Sequence, residues 1–225
     1  MKTRCFLPSA LPLVLFSICL VSFAPLQTRG DIALSFASYS GQGPGANNAT
    51  IGWSFSLSTN IQVTDLGVWD GNNSTAFGPT GDGLLNDQLI TIWTSTGTFV
   101  TSATVPAGGG TLASDFRYVS IAPTLLNAGD YVIGSFYTTS SANQDPNAEI
   151  SSTITTAAGV TYGEGLEGAG NAFPTIMFSG GGVWGPNFQF VEARNVPEAG
   201  ASWILLALAL VAIFSWRLLS PRRVA

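Results

Sequence analysis

Ile51-Gly52-Trp53-Ser54-Phe55-Ser56-Leu57 alternates large apolar side chains with small or polar ones at every step. A period of two belongs to a β-strand with one buried face, because successive side chains point to opposite sides of the strand. Leu89-Ile90-Thr91-Ile92-Trp93 repeats the pattern, and Phe188-Gln189-Phe190-Val191 does so in part. Further strands are expected over Ile32 to Ser38, Ile61 to Trp69, Thr98 to Val105, Phe116 to Ile121, Tyr131 to Tyr137, Glu149 to Thr155 and Thr175 to Phe178. Clusters of Gly, Pro, Asn and Asp separate them.

No stretch between Asp31 and Asn195 sustains an i, i+3, i+4, i+7 apolar repeat over a helix length. About ten short strands at this spacing predict an all-β fold, an antiparallel β-sandwich of jelly-roll or immunoglobulin-like type. In Leu125-Leu126-Asn127-Ala128-Gly129-Asp130-Tyr131, a turn leads into a strand opened by an inward-facing tyrosine, the layout of a tyrosine corner. The stretches Gly41 to Asn48, Gly71 to Asp82 and Gly163 to Asn171 read as surface loops.

The two ends of the chain differ in kind from this middle. Lys2 and Arg4 precede an apolar run from Cys5 to Leu26, with Thr28-Arg29-Gly30 after it. That is the layout of a secretory signal peptide over residues 1–30, with cleavage expected after Gly30. Pro8, Pro12 and Pro25 make the same run a poor permanent helix. At the other end, Ala199 to Trp216 carries no charge over 18 residues (216 − 198). As a helix rising about 1.5 Å per residue it reaches about 27 Å, close to the thickness of a hydrocarbon core. This predicts a transmembrane helix at about residues 201–219. Trp203 and Trp216 sit near its ends, as interfacial aromatics do. Arg217, Arg222 and Arg223 would each cost about 3 kcal/mol at the bilayer centre, so they act as a stop-transfer cluster.

The order Val196-Pro197-Glu198, a spacer of small residues, an apolar helix and a terminal arginine cluster resembles the PEP-CTERM sorting signal of exported bacterial proteins. Ala199 stands where most members carry a second proline. Read through Ser202, the stretch Val-Pro-Glu-Ala-Gly-Ala-Ser is similar to the family's variant Val-Pro-(Asp/Glu)-x-Gly-x-(Ser/Thr). The resemblance implies processing by an exosortase, a membrane transpeptidase-like enzyme that cuts near the motif and passes the protein to the cell envelope. Pro197 itself keeps Asn195 and Val196 extended and therefore accessible at the membrane face. Thr50 to Trp53, Val63 to Asp70, the turn at Ser102 to Pro106 and the tyrosine corner also resemble β-sandwich ectodomains of that family. This second likeness bears on fold only.

Charge and composition exclude several functions for residues 31–195. Both cysteines, Cys5 and Cys19, lie in the leader, the only lysine is Lys2, and the chain has no histidine. Disulfides, thiolate chemistry and histidine metal ligation are therefore ruled out of the exported part. Its 165 residues (195 − 30) must rely on one apolar core, which for a chain of that length buries about two thirds of the surface. Arg117 and Arg194 face 12 acids between Asp31 and Glu192, a net charge of −10 (2 − 12). Such a body repels nucleic acid and anionic headgroups.

Candidate chemistry is sparse. Gly163-Glu164-Gly165-Leu166-Glu167-Gly168 matches a dinucleotide fingerprint in letters, but Ala169 to Pro174 is no helix on which phosphate could rest. Glu164 and Glu167 could form the carboxylate pair of a glycosidase. No Gly-x-Ser-x-Gly is present, and the serines lack a base. Asp70, Asn72, Asp82, Asn86 and Asp87 offer oxygen ligands on loops, the donor set of Ca²⁺, though not at EF-hand spacing. Trp69, Trp93 and Trp184, with Tyr39, Tyr137 and Tyr162, could supply a stacking platform for sugars. Trp69 and Trp184 are the named candidates, and Trp184, within a glycine-rich segment, is expected to be the more exposed of them.

These observations favour a non-enzymatic exported protein with no catalytic residues and no required cofactor. It is anchored in the membrane or released into the envelope after processing, with a structural or adhesive role at the surface or in an extracellular polysaccharide matrix. A carbohydrate-binding module is the alternative, and a carboxylate glycosidase a further one.

Overall fold

The computed structural model describes residues 30–36, 41–43, 48–70, 83–138, 147–150, 154–178 and 182–193, with backbone only at 41–43, 147–150 and 182–184. The expected signal peptide, apart from Gly30, and the expected sorting tail and transmembrane helix fall outside these residues. No helix among the described residues is long and apolar enough to cross a membrane.

The described chain is all-β. Its strands, in order, are β1 (Asp31–Ile32), β2 (Leu34–Phe36), β3 (Gly41–Gly43), β4 (Ala49–Leu57), β5 (Ile61–Trp69), β6 (Gln88–Thr94), β7 (Phe99–Val105) and β8 (Thr111–Ala113). They continue with β9 (Phe116–Leu126), β10 (Gly129–Tyr137), β11 (Asn147–Ile150), β12 (Ile154–Thr156), β13 (Val160–Ala169), β14 (Ile176–Met177), β15 (Gly182–Trp184) and β16 (Pro186–Glu192).

Four antiparallel ribbons nest inside one another: β1 with β16, β4 with β10, β5 with β9, and β6 with β7. Pairing of β16 with β5 and of β10 with β6 joins them into two sheets, ordered β1-β16-β5-β9-β8 and β14-β13-β4-β10-β6-β7. Smaller sheets β15-β11-β3 and β12-β2 complete the described strands.

The alternation in Ile51–Leu57 is what fuses the two large sheets. Trp53, Phe55 and Leu57 of β4 are buried in one core with Leu66 and Val68 of β5 and Phe188 and Phe190 of β16. The Trp53 and Phe188 rings stack at 6.1 Å, and Phe55 meets Phe188 at 5.0 Å. Trp53 Nε1 donates to the Pro186 carbonyl at 2.8 Å, which satisfies its polar atom without water.

Strand β16 is buried at every position from Pro186 to Phe190, so both of its faces are covered. Asn187 shows how a polar side chain is tolerated there. Its Oδ1 accepts from the amides of Leu34 and Phe188 at 3.2 and 2.9 Å, and its Nδ2 donates to the Leu34 carbonyl at 2.7 Å. The amide thus ties β2 to β16, and both ends of its side chain are matched.

The expected tyrosine corner is present. Tyr131 Oη donates to the Asn127 carbonyl at 2.9 Å, four residues upstream, while its ring stacks on Phe55 at 5.6 Å. Tyr131→Phe keeps the ring contact and loses the hydrogen bond, so it is expected to lower stability by about 1 kcal/mol, read as a urea midpoint shift at unchanged slope.

Three expectations fail. Gly163 to Asn171 is not a surface loop: most of it is strand β13, paired with β4 from Val160 to Ala169. The glycines mark close approach rather than a turn, since a Cβ on Gly163 would lie 2.4 Å from Ser54 Oγ and one on Gly168 2.9 Å from Pro174 Cα. Likewise Gly41 to Asn48, expected as a loop, opens with β3; the expected loop at 71–82 lies outside the described residues. Strand β9 also runs past its expected end at Ile121, because a register irregularity between Val63 and Asp65 of β5 leaves room for Pro123 without a ladder amide.

Candidate functional site

Most candidate chemistry collects at one end of the two large sheets, where β5 ends and β9 begins. Asp70, the residue after β5, is fully buried. Its Oδ2 receives Arg117 Nε at 2.6 Å and its Oδ1 receives the Gly83 amide at 3.2 Å. Arg117 is itself only 16% exposed. One carboxylate therefore joins Asp70 to Gly83, the residues flanking 71–82, and its charge is matched by Arg117, one of the two arginines between Asp31 and Asn195.

That pairing changes the meaning of the expected calcium ligands. A cation at Asp70 would have to displace the guanidinium. Asp87 Oδ1 is engaged with the Ala107 amide at 2.8 Å, while Asn72 and Asp82 lie outside the described residues. No group of three or more His, Cys, Asp or Glu side chains comes together among the described residues.

Beside this pair, the β8–β9 turn carries two non-glycine residues at positive φ, Ser114 at 45° and Asp115 at 69°. Positive φ at both central positions is the type I′ hairpin, whose twist matches that of its strands. The Asp115 carbonyl accepts the Asp70 amide at 2.9 Å, so the backbone of this turn supports the ion pair. Burial raises the Asp115 carboxyl above its ordinary value of 3.8. A raised folded-state value means that the group's stabilising contribution is full below pH 3.8 and is lost as pH rises through the folded value. Asp115→Asn keeps a side chain that tolerates positive φ and removes the charge. It is expected to raise the melting temperature at pH 7, with no gain at pH 3.

The glutamates do not form a pair in one pocket. Glu164 sits at the bulge of β13 between Tyr162 and Gly165, its amide donating to Ser54 Oγ at 3.0 Å. Glu167 lies further along, opposite Ile51, and lines a shallow pocket of about 240 Å³ with Asn48, Ala49, Gly168, Ala169 and Ile176. Tyr162, whose phenol feels the Glu164 charge, is pushed up to about 12 by burial first and by that charge second, against a smaller lowering from a backbone hydrogen bond at Gly165. It stays protonated at neutral pH and cannot act there as a phenolate base.

The aromatic candidates divide sharply. Trp69 is fully buried within the main core, so it is not available to stack on a sugar from solution, and its place in the expected platform is corrected. Tyr137 is also fully buried. Trp93 is 8% exposed, packed with Val132 and Leu166 and met edge-on by Phe173 at 5.9 Å. For Trp184 the backbone stands at the end of β15, opposite Ala148, and Tyr39 lies outside the described residues. Val196, Pro197 and Glu198, expected as a sorting motif, and Arg217, Arg222 and Arg223, expected as stop-transfer residues, also lie outside them. Sequence reasoning misses the Asp70–Arg117 pair, whose partners are 47 residues apart and share no local motif.

The chain matches no protein-family model, no curated protein and no solved structure.

Proposed function

We propose that this is an exported surface protein, with a β-sandwich body held at or released from a membrane by its C-terminal segment, serving a structural or adhesive role rather than catalysis. The observation that carries this reading is in the sequence, where two long uncharged apolar runs flank a strand-patterned, strongly acidic middle. The main core draws on residues from Ala33 to Phe190, and the first strand pairs with the last, Asp31 opposite Phe190. The most apolar runs of the sequence, Cys5 to Leu26 and Ala199 to Trp216, lie outside that interval. A bilayer satisfies the apolar surface of uncharged runs of this length.

The nesting of first with eighth, second with seventh, third with sixth and fourth with fifth strand supports the jelly-roll form of the sandwich over the immunoglobulin-like form. The resemblance of Val196-Pro197-Glu198, with the apolar segment and terminal arginines after it, to a PEP-CTERM signal supports processing by an exosortase-type enzyme. Cell fractionation with an alkaline wash tests the reading. The full chain is expected in the washed membrane pellet, and a chain lacking Ala199 to Ala225 in the soluble exported fraction. Equal solubility of the two with the tail of the full chain uncut would overturn it.

A further inference from the structure

We infer that the body stands end-on at the membrane, with the turns at Ser58–Asn60, Ser95–Thr98 and Asn127–Ala128 facing the lipid and the Asp70–Arg117 end presented outward. This rests on the membrane attachment proposed above and adds a direction to it. The direction comes from the strand registers. Asp31 pairs with Phe190, and β16 runs on from there to Glu192, so the chain enters and leaves the body on adjacent antiparallel strands at the same end. Ile61 lies opposite both Glu192 and Leu126, and Leu57 lies opposite Gly129, which places the β4–β5 and β9–β10 turns at that end. Thr94 opposite Tyr131 adds the β6–β7 turn.

The far end is fixed by the same ladders. Trp69 lies opposite Phe116, and its amide donates to the Gly185 carbonyl, so Asp70, the Ser114–Asp115 turn and the start of β16 lie together there. Ala49 lies opposite Tyr137 and Ala169, which brings the shallow pocket of Asn48 and Glu167 to that end as well. A strand of nine residues such as β5 separates the two ends by about 30 Å. The chain leaves for its C-terminal anchor from that end, and the six residues between Glu192 and Ala199 reach about 20 Å at most, less than the distance to the opposite end. Asp31, Asp130 and Glu192 near the lipid-facing end make a zwitterionic surface a better partner than an anionic one.

The test uses the full chain with Cys5 and Cys19 replaced by alanine, reconstituted in phosphatidylcholine vesicles containing nitroxide-labelled lipid. Single cysteines are introduced at the exposed positions Ala128→Cys or Thr59→Cys at the near end, and Ala107→Cys or Ala172→Cys at the far end, each carrying a fluorophore. Quenching is expected to be several-fold stronger at the near-end positions. Vesicle flotation is measured on the same samples. Flotation with equal quenching at both ends, or with stronger quenching at the far end, overturns the orientation alone. Failure to float overturns the attachment and the orientation with it.

Discussion

Replacing Arg117 with methionine is expected to cost about 3–5 kcal/mol of folding stability, a large share of the 5–15 kcal/mol typical of a domain. The cost comes less from the lost attraction than from what remains. Asp70 is fully buried, and without Arg117 Nε at 2.6 Å its negative charge would lean on the Gly83 amide, a neutral donor at 3.2 Å. Removing the charge as well should restore most of the loss. In the double variant Asp70→Asn with Arg117→Met, the side-chain oxygen still accepts from Gly83, and no ion is left buried. Urea denaturation of the two variants measures the difference. A single variant no less stable than the double would show that Asp70 is not held ionised by Arg117.

Trp53→Ala is the other large effect, about 3–5 kcal/mol from the cavity alone. Trp53 is fully buried and touches Phe55, Tyr162 and Phe188, so its ring spans the interface between the two large sheets. Its loss also takes from the Pro186 carbonyl the donor at 2.8 Å. The body has no disulfide to limit the entropy of the unfolded chain, so nothing covalent offsets such a cavity. Trp53→Phe retains most of the packing and should lose far less. The pair of variants separates ring volume from the hydrogen bond, read as the difference in denaturation midpoint between them.

Both effects sit on a fold that is only partly legible in the sequence. Alternation in Ile51–Leu57 announces β4 and its buried face, because a half-buried strand must repeat every second residue. The bounds expected from Ile61 to Trp69 are those that the structure gives β5. Strand β13 is hidden, since Gly163, Gly165 and Gly168 look like turn formers when only the order of residues is known. In space Gly163 and Gly168 let β13 approach Ser54 and Pro174 more closely than a Cβ would allow. The nesting of β1 with β16 is also out of reach, because register between strands about 160 residues apart has no local signature.

The site is less legible than the fold. Trp69 and Trp184 carry the same ring, and only the tertiary structure puts the first inside the core. Asp70 reads as a loop acid suited to a cation, whereas its partner is an arginine on the neighbouring strand β9. Glu164 and Glu167 are close in sequence, but only Glu167 lines the pocket.

Mass spectrometry of the protein recovered from fractionated native cells tests the central claim most directly, because it reports both ends of the chain at once. The account predicts an N-terminus within a few residues of Asp31 and a C-terminus either near Val196 to Glu198 or continuing through the apolar segment in a membrane fraction. An uncut chain from Met1 to Ala225, recovered freely dissolved from the cytosol, would contradict it.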